Sequence, residues 1–444
     1  MHFDLLVRGG RVVSPEGIQD ADIGVRDGTI HEIGDLAQAE ADEVLAVKGL
    51  HVFPGLIDSH VHFREPGAPQ KEDLESGTRS AIAGGVTTVF DMPNTNPTTT
   101  TREALDDKVA RLKDRAWCDV GFYLGASHEN VDDLAELEGH PAVCAVKMFM
   151  GSSTGSLLVE DEPTQRRVLQ QGTLPVAVHA EDEARLRERK ALMSPHPSVK
   201  EHSHLRDEEC ARLAVEQIVR LSAETGRSVH VLHVSSAEEA AALEKAKAAG
   251  RKVTCEVTPH HLYLSTPDAY QRHGAQAQMN PPIRTAFHQT ALRHALAAGL
   301  FDTIGSDHAP HTLEEKMRPY PASPSGIPGV QTLFSVLATL SVRDGLFPIQ
   351  DITRWLGTGP AALYRLKGKG RVAVGADADF CIADVNLNRR VEAGWLQGKQ
   401  KWSPYVGERL YGWPMHTVLR GQIAMRDEEI YGTPQGRSAV FERG

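Results

Sequence analysis

The chain has 444 residues, 41% of them hydrophobic and 24% charged, with a formal net charge of −11, the balance of a globular protein with a sizeable core. The acidic excess comes without a long basic run, which argues against a nucleic-acid partner. No stretch approaches the ~20 apolar residues that span a bilayer, residues 1–7 lack the plan of a signal peptide, and the five scattered cysteines form neither a disulfide framework nor a CxxC metal knuckle, so a cytoplasmic protein without a membrane partner is expected.

Residues 1–53 read as short strands. Runs 3–8, 11–13, 21–26 and 43–46 are β-prone, and Gly9-Gly10, Pro15-Glu16-Gly17 and Asp27-Gly28 separate them as turns. From Phe53 onward, short apolar runs alternate with helix-like stretches such as 208–225 and 237–249. The strand candidates are 55–58, 86–91, 119–124, 142–149, 174–179, 228–233, 252–257 and 302–306, eight in all. Buried parallel strands joined by helical crossovers have this pattern, and eight such units make a TIM barrel. After about residue 364 strands return at 371–374, 379–384, 417–419 and 422–425. Each terminal segment alone is too short to bury a core, so the two are expected to pair. The fold class is therefore α/β: a (β/α)8 TIM barrel over 54–364, with a small β-sandwich domain formed by segments 1–53 and 365–444.

TIM-barrel active sites sit at the C-terminal ends of the strands. Strand one ends in His60-Val61-His62, strand four carries Lys147, strands five and six end in His179 and His233, and strand eight runs into Asp307-His308. One strand-end histidine is most often structural; five metal-competent residues on one rim point to a cation site. Residues i and i+2 of a strand face the same way, so His60 and His62 can chelate one cation together. His179 and His233 offer nitrogens to a second, and Asp307 an anionic oxygen. Two close cations need a bridging anion. Lys147 lies in the apolar run Ala145-Val146-Lys147-Met148-Phe149, where burial and neighbouring metals lower its pKa. A free amine there can take up carbon dioxide as a carbamate, with one oxygen for each metal.

With these residues in place, the chain resembles the cyclic amidohydrolases of the amidohydrolase superfamily, and among them most closely the dihydroorotases. The resemblance covers nearly the whole chain. Its general marks are Phe53-Pro54-Gly55-Leu56-Ile57-Asp58-Ser59-His60-Val61-His62 and Val374-Gly375-Ala376-Asp377-Ala378-Asp379-Phe380. It implies a binuclear centre of two Zn2+ per subunit held by His60, His62, N6-carboxylated Lys147, His179, His233 and Asp307. Many bacterial dihydroorotases of this broad type use an aspartate in an Asp-Asp-Gly stretch instead of a bridging lysine. Here that region reads Lys147-Met148-Phe149-Met150-Gly151-Ser152-Ser153-Thr154-Gly155, which matches the carboxylated-lysine version.

Substrate choice rests on other residues. Arg64, in His62-Phe63-Arg64-Glu65-Pro66-Gly67, shares the parity of the two histidines, and its guanidinium suits a carboxylate. Asn94 follows strand two and can donate to the same anion. The pair resembles the carboxylate-binding residues of dihydroorotases, whereas hydantoinases and dihydropyrimidinases usually lack it and allantoinases generally differ there. His311, in Ser306-Asp307-His308-Ala309-Pro310-His311, would contact the same carboxylate, and Asn280, in Met279-Asn280-Pro281-Pro282, the pyrimidine ring. The charged, Pro-rich loop 312–325 is expected to cover the site. His260 and His261, in Thr258-Pro259-His260-His261-Leu262, match the family pattern without a ligand role.

The implied reaction is reversible hydrolysis of (S)-dihydroorotate to N-carbamoyl-L-aspartate in pyrimidine biosynthesis, through a metal-bridging hydroxide with Asp307 as general acid and base. The partner is then a small-molecule substrate, and a homo-oligomer such as a dimer is expected. The alternatives are an allantoinase or a hydantoinase/dihydropyrimidinase, and more remotely a non-catalytic scaffold subunit.

Overall fold

The computed structural model describes residues 2–151 and 155–443. Ser152, Ser153 and Thr154 of the stretch after Lys147 therefore lie outside the described residues, as do Met1 and Gly444.

The N-terminal segment forms β1 (His2–Ser14), β2 (Gly17–Arg26), β3 (Thr29–Gly34), β4 (Glu40–Ala46) and β5 (His51–Pro54). Next come β6 (Leu56–Val61), β7 (Val86–Asp91), β8 (Asp119–Gly125), β9 (Val143–Phe149), β10 (Val176–His179), β11 (Val229–Val231), β12 (Val253–Val257) and β13 (Thr303–Ile304). The chain ends with β14 (Phe380–Arg390), β15 (Arg409–Leu419), β16 (Gln422–Arg426) and β17 (Glu429–Ile430).

The small sheet runs in the order β17-β16-β15-β14-β5-β1-β2-β3, with β4 also on β1. It joins the two ends of the chain where Phe380 to Ala383 of β14 lie antiparallel to β5. A register shift between Val7 and Gly10, with Gly9 at φ +76°, bends β1. Its first half pairs with β4 and its second with β5. The sheet thus curls around one core of its own, with Leu5, Val25, Leu45, Phe380 and Val418 all buried in it. β3 and β5 escape the sequence reading because each is short and flanked by turns. Segment 371–374, expected as a strand, is a bend and turn that feeds β14. The 417–419 run is the end of the longer β15, whose earlier residues Arg409 to Pro414 include Gly412 and Pro414, poor strand formers.

The eight central strands form one parallel sheet from β6 to β13. They are almost wholly buried, and for that reason read as continuous apolar runs. The crossover helix Glu208–Thr225 shows how the local sequence sets such elements. Asp207 caps its start by accepting from the Cys210 N–H, Ala211, Ala214, Val215, Ile218 and Leu221 form one buried face, and Gly226 ends it at φ +75°. β6 and β13 close the barrel at its rim. Val61 bridges His308, the His62 N–H donates to the His308 carbonyl at 2.7 Å, and the Ser306 N–H donates to Asp58 Oδ1 at 2.9 Å. That seam sets His60 and His62 beside Asp307.

Asp377 and Asp379 of the second motif lie far from that rim. Both pair with the buried Lys369 ammonium, which also contacts Asp119 at the start of β8, 3.0 Å away. The motif thus bolts the small sheet to the barrel floor.

Candidate active site

All ten residues singled out from the sequence line one cavity of about 760 Å³. Its floor is the barrel seam. His60 Nε2 and His62 Nε2 lie 3.2 and 3.1 Å from Asp307 Oδ1, and the three groups form a buried His-His-Asp cluster within 4.8 Å.

The outer ring nitrogens fix the tautomers. His60 Nδ1–H donates to Glu256 Oε1 and His62 Nδ1–H to Asn94 Oδ1, each at 2.7 Å. Both acceptors take hydrogen bonds only, so both Nε2 atoms carry lone pairs, and both face an Asp307 oxygen. Lone pairs converging on a carboxylate repel one another unless a cation sits among them. Burial pushes the His62 imidazole down to about 4 against the opposing pull of Asp307. Burial works against the Asp307 charge, and only positive charge among these groups, whether protonated rings or a cation between them, would hold the carboxylate well below its ordinary range. The donor set fits a divalent metal, with each histidine oriented by an acceptor behind it.

A second pair stands alongside. His179 Nε2–H donates to Glu181 Oε2 at 2.7 Å, which aims the His179 Nδ1 lone pair at His233 Nε2, 2.9 Å away. Burial lowers both imidazoles from their ordinary value. Glu181 is itself held by Arg206. Burial opposes its charge, but Arg206 and His179 win and bring it down to about 2. Lys147 faces the same cavity and has no hydrogen-bond or carboxylate partner among the described residues. Its Nζ lies 4.5 Å from the Phe149 ring centroid, and burial pushes its pKa down to about 7 although Asp307 and Glu256 pull upward. A buried amine without such a partner among the described residues, on the same cavity wall as both nitrogen pairs, fits carbamate formation.

Two predicted ligands hold unusual backbone. His233 and Asp307 adopt φ +38° and φ +47°, left-handed values that cost about 1 kcal/mol or more for non-glycine residues and cluster at functional sites. Gly305 allows another close approach, since a Cβ there would lie 2.3 Å from Glu256 Oε2 and 2.7 Å from the His60 Cβ.

Arg64 Nε–H donates to the Pro310 carbonyl at 3.0 Å, and Nη2 lies 3.3 Å from His311 Nε2. Burial lowers the guanidinium to about 10, so it stays cationic at neutral pH. His311 Nδ1 accepts from Lys71 Nζ at 3.0 Å, which places its proton on Nε2, and this donates to the Ser325 carbonyl at 2.9 Å. Burial, with Arg64, Lys71 and Lys316 nearby, keeps that ring neutral. Asn94 spends its oxygen on His62, and Asn280 its oxygen on His202, 3.0 Å away. Each therefore retains amide N–H donors. His261, in contrast, is buried in the wall, accepting from Thr258 Oγ1 at 2.8 Å and donating to the Pro281 carbonyl at 3.2 Å.

Sequence reasoning passed over Glu181, Glu256 and Arg206. Glu256 carried a usable signal, an acid inside the apolar β12 run, the same feature that drew attention to Lys147. Glu181 follows His179 by two residues, while nothing local marks Arg206.

Residues 51–401 match the amidohydrolase family. A dihydroorotase of Methanosarcina mazei is 34% identical over 450 residues, spanning 99% of this chain and 98% of its own. An allantoinase of Deinococcus radiodurans is 35% identical over 446 residues, 98% of each chain. The L-hydantoinase (dihydropyrimidinase) of Arthrobacter aurescens superposes with a TM-score of 0.93 at 27% identity, covering 99% of this chain and 100% of that one. With that match along most of its length and a His-His-Asp cluster on the barrel rim, the chain belongs to the amidohydrolase family and is a hydrolase of cyclic amides.

Proposed function

We propose that the protein is a dihydroorotase, interconverting (S)-dihydroorotate and N-carbamoyl-L-aspartate in pyrimidine biosynthesis. The observation that carries this choice is the half-buried Arg64 guanidinium on the wall of the His-His-Asp cavity, with His311 beside it and Asn94 on the same wall. A cation there complements the carboxylate of dihydroorotate, a group that the hydantoin and dihydrouracil rings lack. The methanosarcinal relative supports the same assignment.

His60, His62, His179, His233, Asp307 and N6-carboxylated Lys147 would hold two Zn2+. When bound, such a centre polarises a carbonyl and lowers the pKa of water. Asp307 is placed to act as general base and acid: it accepts a proton from the attacking water and returns it to the departing ring nitrogen. Arg64 and Asn94 orient the carboxylate, His311, its nitrogens taken by Lys71 and Ser325, packs beside Arg64, and Asn280 offers amide N–H donors to the ring. Glu256 and Glu181 hold the His60 and His179 rings in the tautomers the centre needs. The unit of function would be the 54–364 barrel, with 1–53 and 365–444 as its accessory domain, in a homo-oligomer.

A spectrophotometric assay of dihydroorotate hydrolysis, with allantoin and dihydrouracil alongside and a chelator-treated control, tests the proposal. Dihydroorotate should be the preferred substrate, and the treated sample inactive. Preference for allantoin would move the protein to the function of the Deinococcus relative.

A further inference from the structure

Asn280 reaches the cavity from the connection that follows β12, and its amide could face either way. One contact decides. His202, in the short helix His202–Leu205, is buried, and its Nε2 lies 2.9 Å from the Met279 carbonyl and 3.0 Å from Asn280 Oδ1. A carbonyl only accepts, so Nε2 carries the proton and donates to both oxygens. The Asn280 oxygen is thereby occupied, and its NH2 group is left for the cavity.

The tautomer has a second consequence. With its proton on Nε2, His202 Nδ1 must accept, and the Tyr320 hydroxyl, 3.3 Å away, donates to it. The rings also meet edge to face, 5.6 Å apart. Tyr320 belongs to loop 312–325, which is tied elsewhere to the residues preceding Asn280. Lys316 Nζ donates to the Gln278 and Pro324 carbonyls at 3.0 and 2.8 Å, and Gln278 Nε2 donates to the Ser323 carbonyl at 3.0 Å. Tyr320, His202 and Asn280 all line the cavity.

We infer that His202 is a positioning residue: it orients the Asn280 amide so that N–H donors meet a ring carbonyl of the substrate, and it latches the 312–325 loop through Tyr320. A flipped amide would set oxygen against oxygen and weaken ring binding. The inference rests on the dihydroorotase reading only for its choice of substrate.

The test uses the full-length, metal-loaded enzyme with His202→Leu, His202→Gln and Tyr320→Phe. His202→Leu should raise KM for dihydroorotate about three- to tenfold, as expected for the loss of one net hydrogen bond, with kcat changed less than about twofold. His202→Gln keeps a donor near Asn280 and should restore most of the KM, yet it offers nothing at the Nδ1 position. Hydrogen exchange of amides 312–325, measured without substrate, should therefore quicken in all three variants. An unchanged KM and unchanged exchange in His202→Leu would overturn the inference, as would a KM rise in His202→Gln equal to that in His202→Leu. If wild-type enzyme fails to turn over dihydroorotate, the substrate assignment falls, and the substrate-free exchange experiment still decides the latch.

Discussion

Replacing Arg64 with methionine removes the proposed carboxylate partner and leaves an unbranched side chain in its space. The guanidinium is half-buried in the cavity wall, where it gives Nε–H to the Pro310 carbonyl and holds Nη2 3.3 Å from His311 Nε2. Hydrogen bonds to a charged group contribute about 1.5–3 kcal/mol, which at about 1.4 kcal/mol per tenfold is roughly a 10- to 150-fold rise in KM for dihydroorotate. Dihydrouracil has no carboxylate, and its kinetics should change less than about twofold. The orphaned Pro310 carbonyl costs about 1 kcal/mol of stability, so thermal melts of both proteins separate folding from binding. The guanidinium keeps its charge throughout the working range, so KM for dihydroorotate should show no pH dependence from this group. Steady-state assays with both substrates check this. An equal loss on the two substrates would refute the carboxylate clamp, and so would an unchanged KM for dihydroorotate.

Asp307→Asn should lower kcat by about a thousandfold, the scale of general acid–base catalysis, with the fold retained by circular dichroism; near-normal turnover would contradict the proton-transfer role. Lys147 has its pKa lowered to about 7, so its free amine predominates above that pH and its ammonium below. At equal dissolved carbon dioxide, recovery of activity by metal-stripped enzyme given zinc should be about tenfold faster at pH 8 than at pH 6, whereas a lysine of ordinary pKa would give about a hundredfold difference. Gly305→Ala would force a Cβ to within 2.3 Å of Glu256 Oε2. Denaturant melts should show a loss of about 1–3 kcal/mol, and an unchanged midpoint would mean that the wall yields freely.

Several features follow from local sequence alone. The eight barrel strands are legible because each is buried on both faces and so reads as an apolar run closed by a polar residue. The His60-Val61-His62 pair is legible because strand geometry sends alternate side chains the same way. Lys147 stands out as a charge where none belongs. The β5 strand, by contrast, is pinned by the distant β14 and β1 rather than by its own composition, β3 is held in a hairpin with β2, and segment 371–374 has strand-like residues but no strand partner among the described residues.

Tertiary structure decided the rest. His60 meets Glu256, 196 residues along the chain, and His202 meets Asn280, 78 residues along. Such pairs leave no periodic trace, because a hydrogen bond between residues so far apart depends on how the barrel closes and not on spacing. The type of chemistry is written in which side chains end the strands. Which nitrogen of each histidine is free, and which end of each amide faces the cavity, is settled only by the acceptors that the folded barrel sets behind them.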